Sequence, residues 1–241
     1  MFRKLFHILE IIFWQKFHIH TKTPGPYLSE SEIEPLLISK GNFCSLCCIP
    51  FPQDFREDSL RQVHLCGACL KKRPIYDLHR SLFRYEGGIR DLIHAFKYKH
   101  AFWVRHFFGD FFSILKEEFR EAQMIFPIPL SRKRFYKRGY NQSQLLAELW
   151  SQILEIPLSS KILARKKSTR FQFGLDSKER EKNLKLAFEV KDETFVRDKI
   201  LLLVDDIHTT GATLNEASRC LKKHGAKKVL ATTLAVTPLL I

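Results

Sequence analysis

Acidic residues are in short supply: 26 Asp and Glu stand against 40 Lys and Arg, a formal charge of +14. Such a balance draws polyanions, whether nucleic acid, phosphorylated metabolites or anionic lipid, and charge alone does not choose among them. Long apolar runs are missing as well. Residues 1 to 17 set Leu5, Leu9, Ile12 and Trp14 among Lys4, His7, Glu10 and Lys16, a helical pattern too short and too charged to span a bilayer. No small-residue cleavage site follows it, so a cleavable secretory signal is not expected. Internal repeats and low-complexity tracts are absent, and outside one short region the chain holds a single cysteine, Cys220. Clustered cysteines of this kind suggest metal more than disulfides, and the expected compartment is the reducing cytoplasm.

What is present fits an ordinary globular protein. The hydrophobic fraction of 45% and charged fraction of 27% belong to neither a disordered chain nor a membrane protein. With 241 residues there is room for one full domain and a small appendage. Residues 1–42 read as a helix and a Pro- and Gly-containing linker, 43–78 as a cysteine ribbon, and 79–241 as the main domain. The first helix either packs on its own protein or lies on a membrane surface or partner.

Within the main domain, Ser81–Tyr85 reads as a strand, Gly87-Gly88 as a turn and Ile89–Tyr98 as a helix. Phe108, Phe111, Phe112, Leu115 and Phe119 share one face of a second helix, a face expected in the core. Met124–Pro129 reads as a strand and Asn141–Leu154 as a helix; Thr213–Lys223 is expected to be helical and to stop at Gly225. Ile200–Val204 and Val229–Val236 are aliphatic runs of the sort that helices cover on both faces of a parallel sheet. The alternation gives an α/β fold with ligands at the carboxyl ends of its strands.

The Ile200 strand leads to Asp205-Asp206 and then to Thr209-Thr210-Gly211-Ala212-Thr213 before the next helix. Each residue type suits a phosphorylated sugar. Adjacent carboxylates accept hydrogen bonds from vicinal ribose hydroxyls or order water around magnesium. The threonine hydroxyls donate, Gly211 allows close backbone approach, and the helix start offers its free amides to an anion. The same residues could also serve merely as a capped strand-to-helix turn.

The stretch resembles the 5-phosphoribosyl-1-pyrophosphate (PRPP) signature of type I phosphoribosyltransferases. Three further stretches narrow the resemblance: Phe126-Pro127-Ile128-Pro129-Leu130 with Arg134, Arg138-Gly139-Tyr140-Asn141-Gln142 and Leu145–Leu149; Arg165, Thr169, Gln172, Leu175, Arg180, Asn183 and Ala187-Phe188; and Leu92-Ile93 with Lys97-Tyr98. Together with the cysteine ribbon they are similar to the ComF family, competence-associated proteins implicated in DNA uptake and natural transformation. The likeness runs from Phe43 to Pro238. It implies a type I phosphoribosyltransferase-like parallel sheet and binding of Mg-PRPP or a related phosphorylated ribose. It also implies displacement of pyrophosphate at C1 of the ribose, with Asp205 and Asp206 beneath the developing positive charge. The turn from Thr209 to Thr213 would hold the 5-phosphate.

Arg132, Lys133, Arg134 and Arg138 follow a strand end and could grip pyrophosphate, or form a solvated basic turn. Arg165–Lys185 suits a mobile loop closing over substrate or an inert surface loop, and Lys97 and Lys99 suit a solvated helix face. Cys44-x2-Cys47 and Cys66-x2-Cys69, eighteen residues apart, have the spacing of one structural zinc site. Cys48 stands where the family usually has glycine, which leaves the choice between Cys47 and Cys48 open, although the two-residue spacing favours Cys47; His64 is a spare ligand. Cys220 is expected to be buried and inert. The competing reading is a non-catalytic module holding single-stranded DNA or a recombination partner, with Tyr136 beside Arg134 and Lys137 as its basic and aromatic surface.

Overall fold

The computed structural model describes residues 28, 30–38, 42–51, 64–166 and 187–238. The expected helix of residues 1 to 17, and the expected loop from Arg165 to Lys185 apart from Arg165 and Lys166, lie outside them. The order begins with α1 (Glu30–Ile33), α2 (Gly67–Lys71), β1 (Leu78–Arg84), α3 (Gly87–Tyr98) and α4 (Val104–Phe112). It continues through a 3-10 segment (Ser113–Phe119), β2 (Met124–Pro127), α5 (Arg132–Arg138) and α6 (Gln142–Leu154). The short strands β3 (Leu163–Arg165) and β4 (Phe188–Val190) precede β5 (Ile200–His208), α7 (Ala212–Lys223) and β6 (Lys228–Val236).

β1, β6, β5 and β2 form a four-stranded sheet in that order, every pair parallel, while β3 and β4 form a separate antiparallel pair. Successive residues of a strand point to opposite faces, and β5 divides accordingly. Leu202 and Val204 join Phe83, Phe96, Phe108, Phe112 and Trp150 in one hydrophobic cluster, which α3, α4 and α6 supply. Leu201 and Leu203 join Leu214, Ala217 and Leu221 of α7 in the other, together with Cys44, Cys47, Cys48, Cys66 and Cys69. The ribbon therefore shares a core with α7 on one face of the sheet.

Several boundaries differ from those expected, each for a local reason. β1 starts at Leu78 because His79 and Arg80, polar in sequence, pair with Ala231 and Thr232 of β6. Gly87 and Gly88 open α3 instead of preceding it; a Cβ on Gly88 would lie 2.0 Å from the Leu28 side chain, so the glycine makes room for that segment. β5 does not stop at Val204 but keeps its register with β6 as far as His208 opposite Val236, so both acids lie within the strand. The phenylalanine helix is two elements, α4 and the 3-10 segment, yet Phe108, Phe111, Phe112, Leu115 and Phe119 are all buried as expected.

Candidate functional site

The site grows from the carboxyl end of β5. Asp205 and Asp206 point to different neighbours, as consecutive strand residues must. Asp205 Oδ1 accepts from Ser143 Oγ of α6 at 2.8 Å and from the Asp206 amide at 2.9 Å. Asp206 Oδ1 lies 3.0 Å from Lys97 Nζ of α3, with 14% of the acid and 15% of the lysine side chain exposed. Burial, reinforced by the neighbouring Asp206 charge, pushes the Asp205 carboxyl up to about 7. Lys97 is thus a partner of the acid pair, which corrects the expectation of a solvated helix face: α3 brings its last turn against the end of β5. Lys99 is exposed as expected.

After β5, Thr209 and Thr210 are exposed, Gly211 is buried, and Ala212 and Thr213 are half-buried at the start of α7. Gly211 has φ +71°, in the left-handed region, and caps α7 without any side chain. The Ala212 amide meets Thr210 Oγ1 at 3.4 Å. The turn is therefore backbone-lined, small and partly open, next to the two acids.

The basic residues after β2 occupy α5, a short helix that Ser131 caps through the Arg134 amide. Arg132, Lys133 and Arg134 are exposed on it. Arg132 borders a cleft of about 380 Å³ with Pro129, Phe135, Tyr136 and Asn141. Arg138 is engaged from both sides: it donates to Gln142 Oε1 at 3.0 Å and to Tyr98 Oη at 3.1 Å, with its guanidinium 4.9 Å from the Tyr98 ring centre. Arg165 of β3 joins this basic group. Burial, then the Arg134 charge, lowers its pKa, and the Asp205 carboxylate opposes them. Lys97, Ser143 and Arg165 complete the surroundings of the acids. Lys97 belongs to the Lys97-Tyr98 stretch that carries the family resemblance, but its pairing with Asp206, like the bond of Ser143 to Asp205, is revealed only by the fold.

In the ribbon, the thiol sulfurs of Cys44, Cys47, Cys66 and Cys69 lie within 4.8 Å of one another, with Cys47 and Cys66 at 3.6 Å. A tetrahedral zinc centre with Zn–S bonds of about 2.3 Å separates its sulfurs by about 3.8 Å, so the four residues fit zinc. Hydrogen bonding from Cys47 draws the Cys44 thiol down to about 4, and burial pushes Cys69 up to about 12. Four buried sulfurs cannot all ionise without a cation among them. Cys48 is excluded from the group, as is His64. Cys48 has φ +60°, in the left-handed region that favours glycine, and its sulfur accepts from the Ser81 amide at 3.3 Å. Cys220 is half-buried rather than buried, with its sulfur 4.0 Å from His224 Nδ1.

Residues 142–238 match the phosphoribosyl transferase domain family. Competence protein F of Haemophilus influenzae is 34% identical over 213 residues, covering 83% of this chain and 93% of that protein. Competence protein ComFC of Streptococcus pneumoniae is 34% identical over 154 residues, 63% of this chain and 64% of that one. DNA utilization protein YhgH of Escherichia coli K12 is 28% identical over 207 residues, 81% and 90% of the two. A parallel sheet flanked by helices, a turn of this composition after its acid-bearing strand and a matching family domain define a phosphoribosyltransferase-type protein with a four-cysteine ribbon. The chain belongs to the ComF family. Among the described residues, no helix is long and apolar enough to cross a membrane.

Proposed function

We propose that the chain binds Mg-PRPP, or a related phosphorylated ribose, at the carboxyl end of β5 and transfers its phosphoribosyl group. The names of its relatives, a competence protein and a DNA utilization protein, support a role in DNA uptake or utilization, and the compartment of the proposal is the cytoplasm. One observation carries the reading: two adjacent, little-exposed acids stand beside a small backbone-lined turn that opens a twelve-residue helix. Aligned helix amides favour an anion there, and carboxylates favour a diol. In this reading Thr209, Thr210, Gly211, Ala212 and Thr213 hold the 5-phosphate, and Arg132, Lys133, Arg134 and Arg138 would grip the pyrophosphate. The donor set suits magnesium arriving with the ligand, since burial makes a cation beside Asp205 favourable. Bound magnesium would neutralise the departing pyrophosphate. Asp205 and Asp206 stabilise positive charge on the ring as the C1–O bond to pyrophosphate breaks and a nitrogen nucleophile of the acceptor bonds to C1. Zinc in the ribbon is structural, because four thiolates close its coordination shell. Titration calorimetry tests the reading. PRPP with magnesium should bind the wild type and not Asp206→Asn; equal binding by both proteins would defeat it.

A second reading has its own observation. Tyr98, Phe102, Phe135 and Tyr136 are exposed at 47%, 43%, 48% and 83%, beside the basic residues of α5. Exposed aromatics among lysines and arginines suit single-stranded DNA or a recombination partner, held without catalysis. Affinity for an oligonucleotide should then fall steeply with salt, and a flat response would remove the electrostatic basis.

A further inference from the structure

The ribbon and the phosphate turn are joined by buried polar side chains that neither zinc binding nor sugar binding by itself requires. The Cys47 carbonyl, in the middle of the metal-site loop, meets His79 Nδ1 of β1 at 2.8 Å. A carbonyl only accepts, so Nδ1 carries the hydrogen and Nε2 is left to accept from Thr233 Oγ1 of β6 at 3.0 Å. Both ring nitrogens of a fully buried histidine are thus committed, one to the ribbon and one to the sheet. The His79 ring stacks on His208, centres 4.5 Å apart and planes 26° from parallel. His208 is the last residue of β5, three before Gly211, and its Nε2 meets Tyr76 Oη at 3.1 Å.

The far end of this chain of contacts touches the turn. A Cβ on Gly211 would lie 2.7 Å from His208 Nε2 and 3.5 Å from Tyr76 Oη, so the turn's backbone rests directly on that hydrogen bond. A second strut runs beside the first: the Ile75 amide donates to Asn215 Oδ1 in the first turn of α7 at 2.7 Å, and Lys222 of α7 pairs with Asp77 at 2.7 Å. Residues 75 to 77 link α2 of the ribbon to β1. The ribbon therefore reaches the phosphate turn through its histidines and through the start of the following helix.

We propose that the four-cysteine centre and the phosphate turn are energetically coupled through His79 and His208, so that zinc in the ribbon and a phosphate ester on the turn each tighten the other's binding. The proposal rests on reading the turn as a phosphate site. Zinc holds the Cys44–Cys47 loop rigid, which fixes the Cys47 carbonyl and with it the His79 ring. His79 in turn supports the flat face of His208, and His208 sets the height of Gly211 and the direction of the first α7 amides. Packed interiors change between discrete arrangements rather than yielding continuously, so a carbonyl that leaves His79 without its acceptor frees the ring beneath the turn. His79 acts through His208 and touches no ligand; it is a positioning residue.

Linkage makes the coupling reciprocal, so it can be read at the metal. Zinc affinity of the full chain is measured by competition with a chromophoric chelator, with and without saturating ribose 5-phosphate, whose own binding is measured by calorimetry. Coupling of ordinary size gives roughly five-fold or more tighter zinc in the presence of the sugar phosphate. His79→Phe keeps a ring to stack on His208 but loses both hydrogen bonds, and should bind each ligand with the coupling gone; His79→Gln, which can donate and accept, should restore part of it. Should His79→Phe fail to fold, the cobalt-substituted wild type decides: its thiolate and d–d absorption bands should shift when ribose 5-phosphate is added. Ribose 5-phosphate binding with unchanged zinc affinity and unchanged cobalt bands overturns the coupling alone. No binding of ribose 5-phosphate overturns the phosphate reading of the turn and the coupling with it.

Discussion

Replacing Asp205 by Asn should stabilise the protein at neutral and alkaline pH. The side chain is largely enclosed, beside a second acid, and its carboxyl is pushed up to about 7. In the unfolded chain it returns to about 3.9. The folded form therefore binds the proton more tightly, and the sign follows. The stability that comes from protonated Asp205 is fully present below about pH 4 and is lost as pH rises through about 7. Three pH units at about 1.4 kcal/mol each set an upper limit of about 4 kcal/mol. That limit already contains the opposing pull of Ser143 and Lys97; because the rise is shared with the neighbouring Asp206 charge, the expected gain is about 1–3 kcal/mol. Asn keeps an oxygen for Ser143 Oγ and for the Asp206 amide, so the variant removes charge with little change of shape. The assay is urea unfolding of both proteins between pH 5 and pH 8.5. The wild type should lose stability relative to the variant across that range, and parallel curves would refute the argument.

Two further outcomes concern the ribbon and the core. Metal analysis should find one zinc per chain in Cys48→Ala and none in Cys66→Ala, because only the latter removes one of the four clustered thiols. Retention of zinc by Cys66→Ala would exclude the four-thiolate site. Trp150→Ala should cost about 3–5 kcal/mol in urea unfolding, the usual range for a large buried aromatic. Trp150 is 1% exposed and stacks on Phe112 with centres 4.3 Å apart, and Phe119 meets its face edge-on. A loss below about 1 kcal/mol would mean that this stack is not tightly packed.

The parts of the site legible in the sequence are those that lie together along the chain. Asp205 to Thr213 could be read as one unit because a strand end, a turn and a helix start are consecutive there, and each has its own residue preferences. The cysteine spacing was readable for the same reason, since two short turns present the four thiols. Lys97 stands in a stretch that carries the resemblance, but its partner does not show there, because nothing near Tyr98 indicates that α3 ends against β5. His79 lies in the polar start of β1, and His208 lies beyond the aliphatic run Ile200–Val204, so neither falls in an apolar segment that marks a strand. In both places backbone pairing with β6 extends the strand beyond its apolar segment. Side-chain polarity marks which positions face a core; it does not mark where a ladder stops.

The strand order β1-β6-β5-β2 has a consequence for biogenesis. Among the described strands, β1, next to the ribbon, is paired with β6 alone, and Leu78 lies opposite Leu230. As the chain leaves the ribosome amino end first, the ribbon and its neighbouring strand must wait for some 150 residues to be synthesised before they meet their partner. Such distant pairing makes folding slow. During that interval the apolar side of the nascent ribbon is uncovered, a natural target for chaperones.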